Sequence, residues 1–531
     1  MGNSELRKGA AAAGGGHGTW GEPGTVPEYS RGFGIQGKLV QKMLTAETLR
    51  NSKRMLSQEQ AAGIFDRIRR FSSAEEVEAI FTGSRFALTR FANNTIHQNV
   101  EEENSVVSIR TNFGGRTARS TANQFDDESL RRAVAASESL ARVQEPDPDL
   151  LPMPTAEQSD FGKTPPAKGA GARATPSFAM RFFEETAAIT PGDRAEVVRH
   201  MVCVADQYKL TTAGIYSISD LREGIFNSRG LARWHRQTLA EISITMLAAD
   251  SSGWQKLNSP DVRNLDARRL AETAAQKAVD SASPREIAPG KYTVILEPAA
   301  VLDIVGFMFW DYSGVAILDQ RSFLNDRIGT QLFGRNINIS DDVTHPLQAG
   351  SPFDGEGMRR QRVSLVEEGV VKRVVYARAT AQKMKNSEYA GKVGPIEATG
   401  HGFPLPNEVG EMPMNIVFAG PETTSEKPQT VDEMIASTER GVLVTRLWYI
   451  REVDPYEKIV TGMTRDGTFL VENGKVQCGL RNFRFNQSLI AMLSNVEAMS
   501  VPARGCGEES FDMVVPAMKV REFNFTEATK F

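Results

Sequence analysis

Apolar positions after residue 56 follow first a helical period and then a strand period. The stretch Ser57-Gln58-Glu59-Gln60 has the form of a capping box. Four apolar residues after it fall on one helical face, namely Ile64, Phe65, Ile68 and Phe71. From Phe86 the pattern changes to an alternation of side chains, most clearly over residues 106–111. These periods predict a helix of roughly 15 residues followed by β-strands.

Turn signals separate the predicted strands. Asn112-Phe113-Gly114-Gly115 predicts the first hairpin, and Asn227-Ser228-Arg229-Gly230 predicts a turn between two later strands. Three dipeptides lie between strand-like runs further along the chain: Glu368-Gly369, Asp466-Gly467 and Asn473-Gly474. Because Asp-Gly and Asn-Gly are strong hairpin signals, we predict a meander over residues 460–485.

Two further helices are predicted between the strands of the first half. Asp126 and Asp127 provide an acidic first turn for one helix, which ends before Pro146. The other helix spans about Asp266 to Val279.

Composition divides the chain into a tail and two domains. Residues 1–55 are rich in Gly and Ala without a sustained apolar period, so we interpret them as a disordered tail or a mis-assigned start. Residues 56–287 are predicted to form an N-terminal α+β domain with an antiparallel sheet and helices. Pro284, Pro289 and Gly290 mark the boundary, and residues 288–531 are predicted to form a β-rich C-terminal domain. The predicted fold class is α+β.

Charge and apolar runs argue against two classes of partner. The formal net charge is −4, so no global positive field attracts nucleic acid. The longest apolar run, Ile304 to Trp310, is far shorter than the ~20 residues of a membrane helix. The three cysteines are widely separated, which is typical of a protein from a reducing compartment. We therefore predict a cytoplasmic protein that binds neither nucleic acid nor membrane.

Contiguous catalytic and metal-binding motifs are absent from the sequence. It contains neither Gly-x-Ser-x-Gly nor Gly-x4-Gly-Lys-Ser/Thr, and no His is followed by Glu. Gly32-x-Gly34-x-x-Gly37 has dinucleotide-binding spacing, but no predicted strand precedes it, so we interpret it as chance. We predict no catalytic residue and no metal ligand in this chain. A discontinuous zinc site remains an alternative, with four candidate ligands: Asp341, His345, His401 and Cys478.

One segment concentrates amide side chains beside a predicted strand. It runs Arg90-Phe91-Ala92-Asn93-Asn94-Thr95-Ile96-His97-Gln98-Asn99. In one interpretation Asn93 and Asn94 close a turn and bond the local backbone. In the other, Arg90, Asn94 and His97 line a groove that binds an extended peptide backbone. Both interpretations remain open at this point, with the turn favoured.

The same segment resembles the Arg-Phe-x-Asn-Asn-x-Ile-x-Gln stretch of the TldD/PmbA family. Asn227-Ser228-Arg229-Gly230-Leu231 is similar to the family's Asn-Ser-x-Gly turn, and residues 290–296 resemble the strand that opens its C-terminal domain. Pro352-Phe353-Asp354-Gly355-Glu356-Gly357 resembles its Pro-Phe-Asp-Asp-Glu-Gly signature, with Gly355 in place of the second Asp. Residues 398–402 resemble its Ser-Thr-Gly-Asn block, with His401 in place of Asn, and residues 441–445 resemble a late strand. The blocks occur in order over about residues 80–530.

This resemblance implies a place in a two-protein metallopeptidase that cleaves unstructured peptides. One subunit of the family holds zinc through a His-Glu-x-x-x-His helix after the strand that opens the C-terminal domain, and the other subunit lacks it. Here that place holds the apolar residues 299–307 without ligands. The resemblance therefore implies the PmbA-like (TldE-like) subunit, without zinc of its own, in a heterodimer with a zinc-bearing TldD-like paralogue.

Six residues are predicted to contact the peptide substrate, all within the resembling blocks: Arg90, Asn93, Asn94, His97, Asp354 and Glu356. Solvated carboxylates are the alternative interpretation for the last two residues. Two other functions remain open. One is an independent hydrolase that combines His345, Asp354, Glu356 and His401, and the other is a peptide-binding module without a catalytic role.

Overall fold

The computed structural model describes residues 55–160, 180–420 and 427–529. The predicted tail, residues 1–55, therefore lies outside the described residues except for Met55. The Gly32-x-Gly34-x-x-Gly37 segment also lies outside them.

Helices and strands alternate irregularly along the described chain. The helices are α1 Gln58–Phe71, α2 Asp127–Val143, α3 Ala156–Ser159, α4 Glu184–Ala187, α5 Pro191–Tyr208, α6 Ala267–Asp280, α7 Pro298–Val305, α8 Gly314–Leu318, α9 Arg378–Lys385, α10 Val431–Ala436 and α11 Leu489–Ser494. The strands are β1 Glu76–Ala92, β2 Thr95–Phe113, β3 Arg116–Ala122, β4 Thr211–Asn227, β5 Ala232–Leu247, β6 Ser252–Ser259, β7 Gly290–Leu296, β8 Ile339–Asp341, β9 Val363–Glu367, β10 Val370–Val371, β11 Ile416–Phe418, β12 Arg440–Asp454, β13 Ile459–Glu472, β14 Lys475–Gly479, β15 Phe483–Ser488, β16 Val496–Met499, β17 Ala503–Gly505, β18 Met513–Val515 and β19 Met518–Ala528. Antiparallel sheets and helices confirm the predicted α+β fold class.

Local signals placed the early elements correctly. Ser57 and Gln60 form both hydrogen bonds of the predicted capping box at the start of α1. Gly114 and Gly115, with φ of 55° and 84°, form the predicted turn between β2 and β3, a conformation that glycine adopts without strain. Asp126 caps α2 by accepting the backbone N–H of Ser129 at 2.9 Å.

The first half of the chain forms one antiparallel sheet of six strands, in the order β3-β2-β1-β4-β5-β6. Apolar residues of α1 and α2 form one core with β1 and β2. Those of α5 and α6 form a second core with β4 and β5. β2 pairs with β1 from Thr95 to Asn112, whereas β3 pairs with β2 only from Val107 onward. Within the described chain, no strand therefore covers the outer side of β2 before Val107.

The second half contains two further sheets, as expected for a β-rich region. One has six short strands, in the order β10-β9-β8-β11-β18-β17. In the other, strand pairing closes a ring through β12, β7, β19, β15 and β13, because β12 pairs with both β7 and β13. The largest apolar core of the described chain fills this half. The domain boundaries at 56, 287 and 288 remain a prediction.

The predicted meander is wrong in two respects. Asp466 and Gly467 lie inside β13. Two residues of β13 lie there between the partners of Val444 and Arg446, whereas β12 has one residue between these two, so the extra residue of β13 forms a β-bulge instead of a turn. In addition, β14 and β15 both pair with β13, so β15 does not follow β14 in the sheet. The Asn473-Gly474 turn between β13 and β14 is confirmed, with φ of 51° and 75°.

No helix in the described residues is long and apolar enough to cross a membrane.

Candidate functional site

The end of the β1–β2 hairpin holds the amide-rich segment. Asn93 and Asn94 have φ of 50° and 58° and form the turn that the first interpretation predicts, but the Asn94 side chain bonds distant groups instead of the local backbone. The Asn94 amide donates to the carboxylate of Asp206 at 2.8 Å and to the carbonyl of Leu210 at 3.1 Å. Its Oδ1 accepts the N–H of Thr212 at 2.7 Å. Asn94 therefore ties the hairpin to the end of α5 and the start of β4.

Arg90 and His97 lie beside this turn, and both side chains are exposed. Both side chains are accessible to a ligand. The Asn94 side chain is not available in the same way, because its hydrogen bonds hold the hairpin in place. Their contact with a peptide remains a prediction.

Asp354 and Glu356 are only 5% and 4% exposed, so they are not the solvated pair considered above. Oδ1 of Asp354 accepts the N–H groups of Glu356 and Met358, both at 2.9 Å, and Oδ2 accepts that of Gly402 at 2.8 Å. Burial and the neighbouring carboxylate of Glu356 raise the pKa of Asp354 to about 7. The pKa of Glu356 is also raised by burial, while the Arg378 guanidinium 3.4 Å away opposes the shift.

The two groups of predicted contact residues lie near opposite ends of β1. Asn93 follows its last residue, whereas Glu356 is within electrostatic range of Glu78 near its first. At about 3.3 Å per residue, the length of β1 corresponds to roughly 55 Å. The structure therefore does not bring the six predicted residues into one site.

Gly355 and Gly357 show why this segment is buried. A Cβ on Gly355 would come within 2.3 Å of the backbone nitrogen of Pro404. Gly357 has φ of 81°, and a Cβ there would lie 2.4 Å from the side chain of Leu231. A second Asp in place of Gly355 would not fit against this chain, which accounts for the departure from the family's signature.

The candidate ligands of a discontinuous zinc site do not assemble. His401 and Asp341 are in contact, with Nε2 3.0 Å from Oδ1 and both side chains fully buried. Cys478 belongs to β14 in a different sheet. Among the described residues no group of three or more His, Cys, Asp and Glu side chains could hold a metal ion.

Helix α7 occupies the place where the resemblance locates a metal-binding motif. It follows β7 directly, and its side chains from Ala300 to Val305 are all buried. Asp303, its one ionisable side chain, accepts the N–H groups of Glu508 and Glu509 through Oδ1 at 3.1 and 3.0 Å. Burial raises its pKa to about 7. Zinc sites take three or four protein ligands, so the donor set of this helix does not fit zinc.

The Asp303 contact continues to the β12–β13 hairpin. The Glu509 carboxylate accepts the N–H groups of Tyr449 at 2.8 Å and Ile450 at 3.2 Å. Tyr449 has φ of 56°, which is strained for an aromatic residue, and its side chain is 54% exposed. The carboxylates of Asp303 and Glu509 thus hold an exposed tyrosine in a fixed bulge.

Sequence patterns did not reveal a third buried charge cluster, between β1, β2 and β3. Glu78 is 1% exposed and binds Arg110 through two hydrogen bonds at 3.1 and 3.2 Å. It also binds Arg119, whose guanidinium donates to the carbonyl of Leu405. The partners are 32 and 41 residues from Glu78 in the sequence, so no local spacing indicates them.

Two small cavities lie in the described part of the chain. Each has a volume of about 10 Å³, enough for one water molecule. One is lined by Glu509 and its neighbours, and neither is lined by any of the six predicted contact residues. Neither of these two cavities is large enough to hold a peptide.

Comparisons with known proteins identify the relatives of this chain. An uncharacterised protein of Methanocaldococcus jannaschii is 29% identical over 154 residues, which are 29% of this chain and 36% of that protein. The metalloprotease PmbA of Escherichia coli O157:H7 is 22% identical over 345 residues, 60% of this chain and 70% of that protein. The crystal structure of TldE from Thermococcus kodakarensis shares the fold, with a TM-score of 0.74 and 18% identity over 88% of this chain and 100% of that one.

Family models match the chain in order along its length. They describe PmbA/TldA metallopeptidase domain 1 over residues 77–141, the central domain over residues 175–282 and the C-terminal domain over residues 289–527. These matches cover most of the chain and confirm the family that the resembling blocks indicated. The chain belongs to the TldD/PmbA family of metallopeptidases.

Proposed function

We propose that this chain is the zinc-free subunit of a TldD/PmbA-type complex that cleaves unstructured peptides. The observation that supports this most directly is the composition of α7. In the family, the zinc-bearing subunit carries His-Glu-x-x-x-His on the helix after the strand that opens the C-terminal domain. Here that helix offers one carboxylate, Asp303, whose Oδ1 is already bound to backbone N–H groups.

The peptide-contacting part of the proposal rests on exposed strands. Within the described chain, the outer side of β2 has no strand partner before Val107, and a strand edge of this kind pairs with extended peptides. Such pairing requires an unfolded substrate, because a folded protein has few free backbone groups. In the proposed complex this chain positions the peptide, and the zinc-bearing paralogue supplies the chemistry.

Metal analysis and proteolysis test the proposal together. The purified chain, the zinc-bearing paralogue and their mixture are compared for zinc content by mass spectrometry and for cleavage of an unstructured peptide. We expect no stoichiometric zinc in this chain and cleavage only when both chains are present. Stoichiometric zinc in this chain, or cleavage by it alone, contradicts the proposal.

A variant of the partner provides the matched control. Replacing the Glu of the paralogue's His-Glu-x-x-x-His by Gln removes its general base while leaving its surface unchanged. The mixture with this variant should form the complex and lose activity. Retained cleavage would place the catalytic site in this chain instead.

A further inference from the structure

One face of the first sheet carries apolar side chains that belong to no core. We call these six residues the open face: Phe86, Leu88, Val100, Ile215, Leu221 and Leu239. Phe86 is 36% exposed and the other five are half-buried. None of the six belongs to, or packs against, any of the five apolar cores of the described chain. Helices α5 and α6 cover the opposite face, where Ala87 and Ile218 belong to their core.

Strand register places the residues of the open face side by side. Leu88 lies opposite Val100 of β2 and opposite Ser217 of β4. Phe86 lies opposite Ser219, the next residue of β4 on this face. Side chains that are opposite or diagonal on one face of a sheet contact each other, so the open face is one continuous apolar surface. Its other members lie opposite these serines or two positions from them: Ile215, Leu221 and Leu239.

The second half of the chain covers another part of the same face. Ile80 and Ile225 pack there with Phe353. Nearer to the open face, Gln237 accepts the backbone N–H of Gly350 at 2.8 Å. The open face therefore lies between the second half of the chain and the end of the β1–β2 hairpin.

The open face has the dimensions of a contact between proteins. It spans four strands and four rows of side chains, or roughly 300–500 Å² at about 4.8 Å between strands and 6.7 Å between rows. The largest apolar patch on a monomeric protein is of this size and is often functional. A single extended peptide covers the width of about one strand, whereas another folded chain can pack against all four. Exposed polar side chains lie at its margin, as at the rim of an interface: Arg90, Gln98 and Glu102.

We propose that the open face is the docking surface for the zinc-bearing paralogue. This inference rests on the proposed function, which requires a second chain, and adds the place where that chain binds. Stable complexes bury about 800 Å² on each partner, so the open face supplies the apolar centre of the interface and its polar margin supplies the rest. Val100 belongs to β2, so a chain docked here also closes over a peptide that pairs with the outer side of that strand.

Thiol labelling measures whether the open face is covered. Ser219→Cys places a thiol at its centre, while the native Cys203 is exposed on α5, on the opposite side of the sheet. Maleimide labelling of both thiols is followed by mass spectrometry of the full chain, alone and with the paralogue. Both thiols should react in the chain alone. The paralogue should slow labelling at position 219 about ten-fold or more and leave Cys203 unchanged.

The same experiment distinguishes other occupants of the open face. Slow labelling at position 219 in the dilute chain alone means that the chain itself covers the face. Slowing that increases with the concentration of the chain alone indicates a second copy. Protection by an unstructured peptide without the paralogue indicates the substrate. Each of these results overturns the proposal, and so does unchanged labelling at position 219 with the paralogue bound.

Substitutions test the contribution of the apolar side chains. Phe86→Gln together with Leu88→Gln should weaken association with the paralogue about ten-fold or more, because residues at the centre of an interface contribute most of the binding free energy. Leu140→Gln is the matched control, since Leu140 is 48% exposed on α2, away from the open face. Equal losses in the two variants contradict the proposal. The unfolding midpoint of each isolated variant checks its fold, and if the double variant unfolds, the labelling result decides.

Failure of this proposal is distinguishable from failure of the proposed function. If the two chains associate and cleave the peptide while position 219 stays reactive, the docking surface is wrong and the proposed function stands. If position 219 is protected but the mixture does not cleave, the docking surface stands and the proposed function fails.

Discussion

Oδ1 of Asp303 lies 3.0 Å from the backbone nitrogen of Glu509, so an acidic residue of α7 holds the loop that in turn holds the β12–β13 hairpin. Oδ2 of Asp303 has no hydrogen-bond partner among the described residues. The lone acidic residue of this apolar helix therefore binds backbone groups of the same chain.

Substitutions of Asp303 test this role. Asp303→Asn keeps an oxygen for the two N–H groups, so we expect stability at pH 8 to stay the same or rise. Asp303→Ala leaves the buried N–H of Glu509 and the part-buried N–H of Glu508 without this acceptor and should lower the free energy of unfolding by about 2–4 kcal/mol. Urea denaturation measures both variants. Equal stability of Asp303→Ala and the unchanged protein would contradict the role.

Stability should fall as pH rises from about 5 to 8. Burial raises the pKa of Asp303, Asp354 and Glu411 to about 7 in the folded protein. In the unfolded chain these groups titrate near pH 4, so between the two values only the folded state keeps their protons. The retained protons therefore add to the free energy of unfolding. This stabilisation is complete at low pH and is lost as pH rises through about 7, which lowers the free energy of unfolding by a few kcal/mol.

The urea midpoint at pH 5.5 and pH 8 measures this dependence. The double variant Asp303→Asn with Glu411→Gln should have a flatter pH profile, because two of the three titrating groups are gone. A midpoint that increases with pH over this range would rule out the assignment.

The turn role of Asn94 gives a third prediction. Asn94→Ala removes three side-chain hydrogen bonds and places alanine at φ of 58°, so we expect a loss of roughly 2–3 kcal/mol. Asn93→Ala carries only the backbone strain and should cost about 1 kcal/mol. Thermal unfolding compares the two variants. Similar losses would mean that the Asn94 side-chain bonds contribute little.

Substitution of Arg90 or His97, unlike substitution of Asn94, should leave the stability of the protein unchanged. Both are exposed, so Arg90→Ala and His97→Ala are expected to leave the unfolding temperature within a degree or two. If the predicted contact with a peptide is correct, they weaken peptide binding instead. Unchanged affinity in both variants would remove them from the site.

Glu78 is predicted to be essential for stability. Glu78→Gln leaves the buried guanidiniums of Arg110 and Arg119 without a countercharge, and breaking a buried pair costs about 3–5 kcal/mol. Glu145→Gln, at an exposed position outside the sheet, removes the same charge and is the control. Chemical denaturation should show a large loss for the first variant and almost none for the second.

Local features of this protein were determined by the sequence alone. The capping box at Ser57 and the turn at Gly114 and Gly115 depend on contacts within a few residues, so their patterns were sufficient. The sequence also showed that α7 is apolar, because the share of hydrophobic residues in a segment is a property of its composition.

Contacts between residues distant in the sequence determined the features that local patterns did not predict. Asp466-Gly467 has the signal of a hairpin turn, but β12 pairs along both sides of it, so the chain bulges instead of reversing. Asp354 and Glu356 resemble solvated acids until Pro404 and Leu231 close over the glycines between and after them. The sequence likewise does not show that no described strand covers the outer side of β2 before Val107, because this depends on where β3 stops, and strand pairing of this kind is fixed only when the whole sheet assembles.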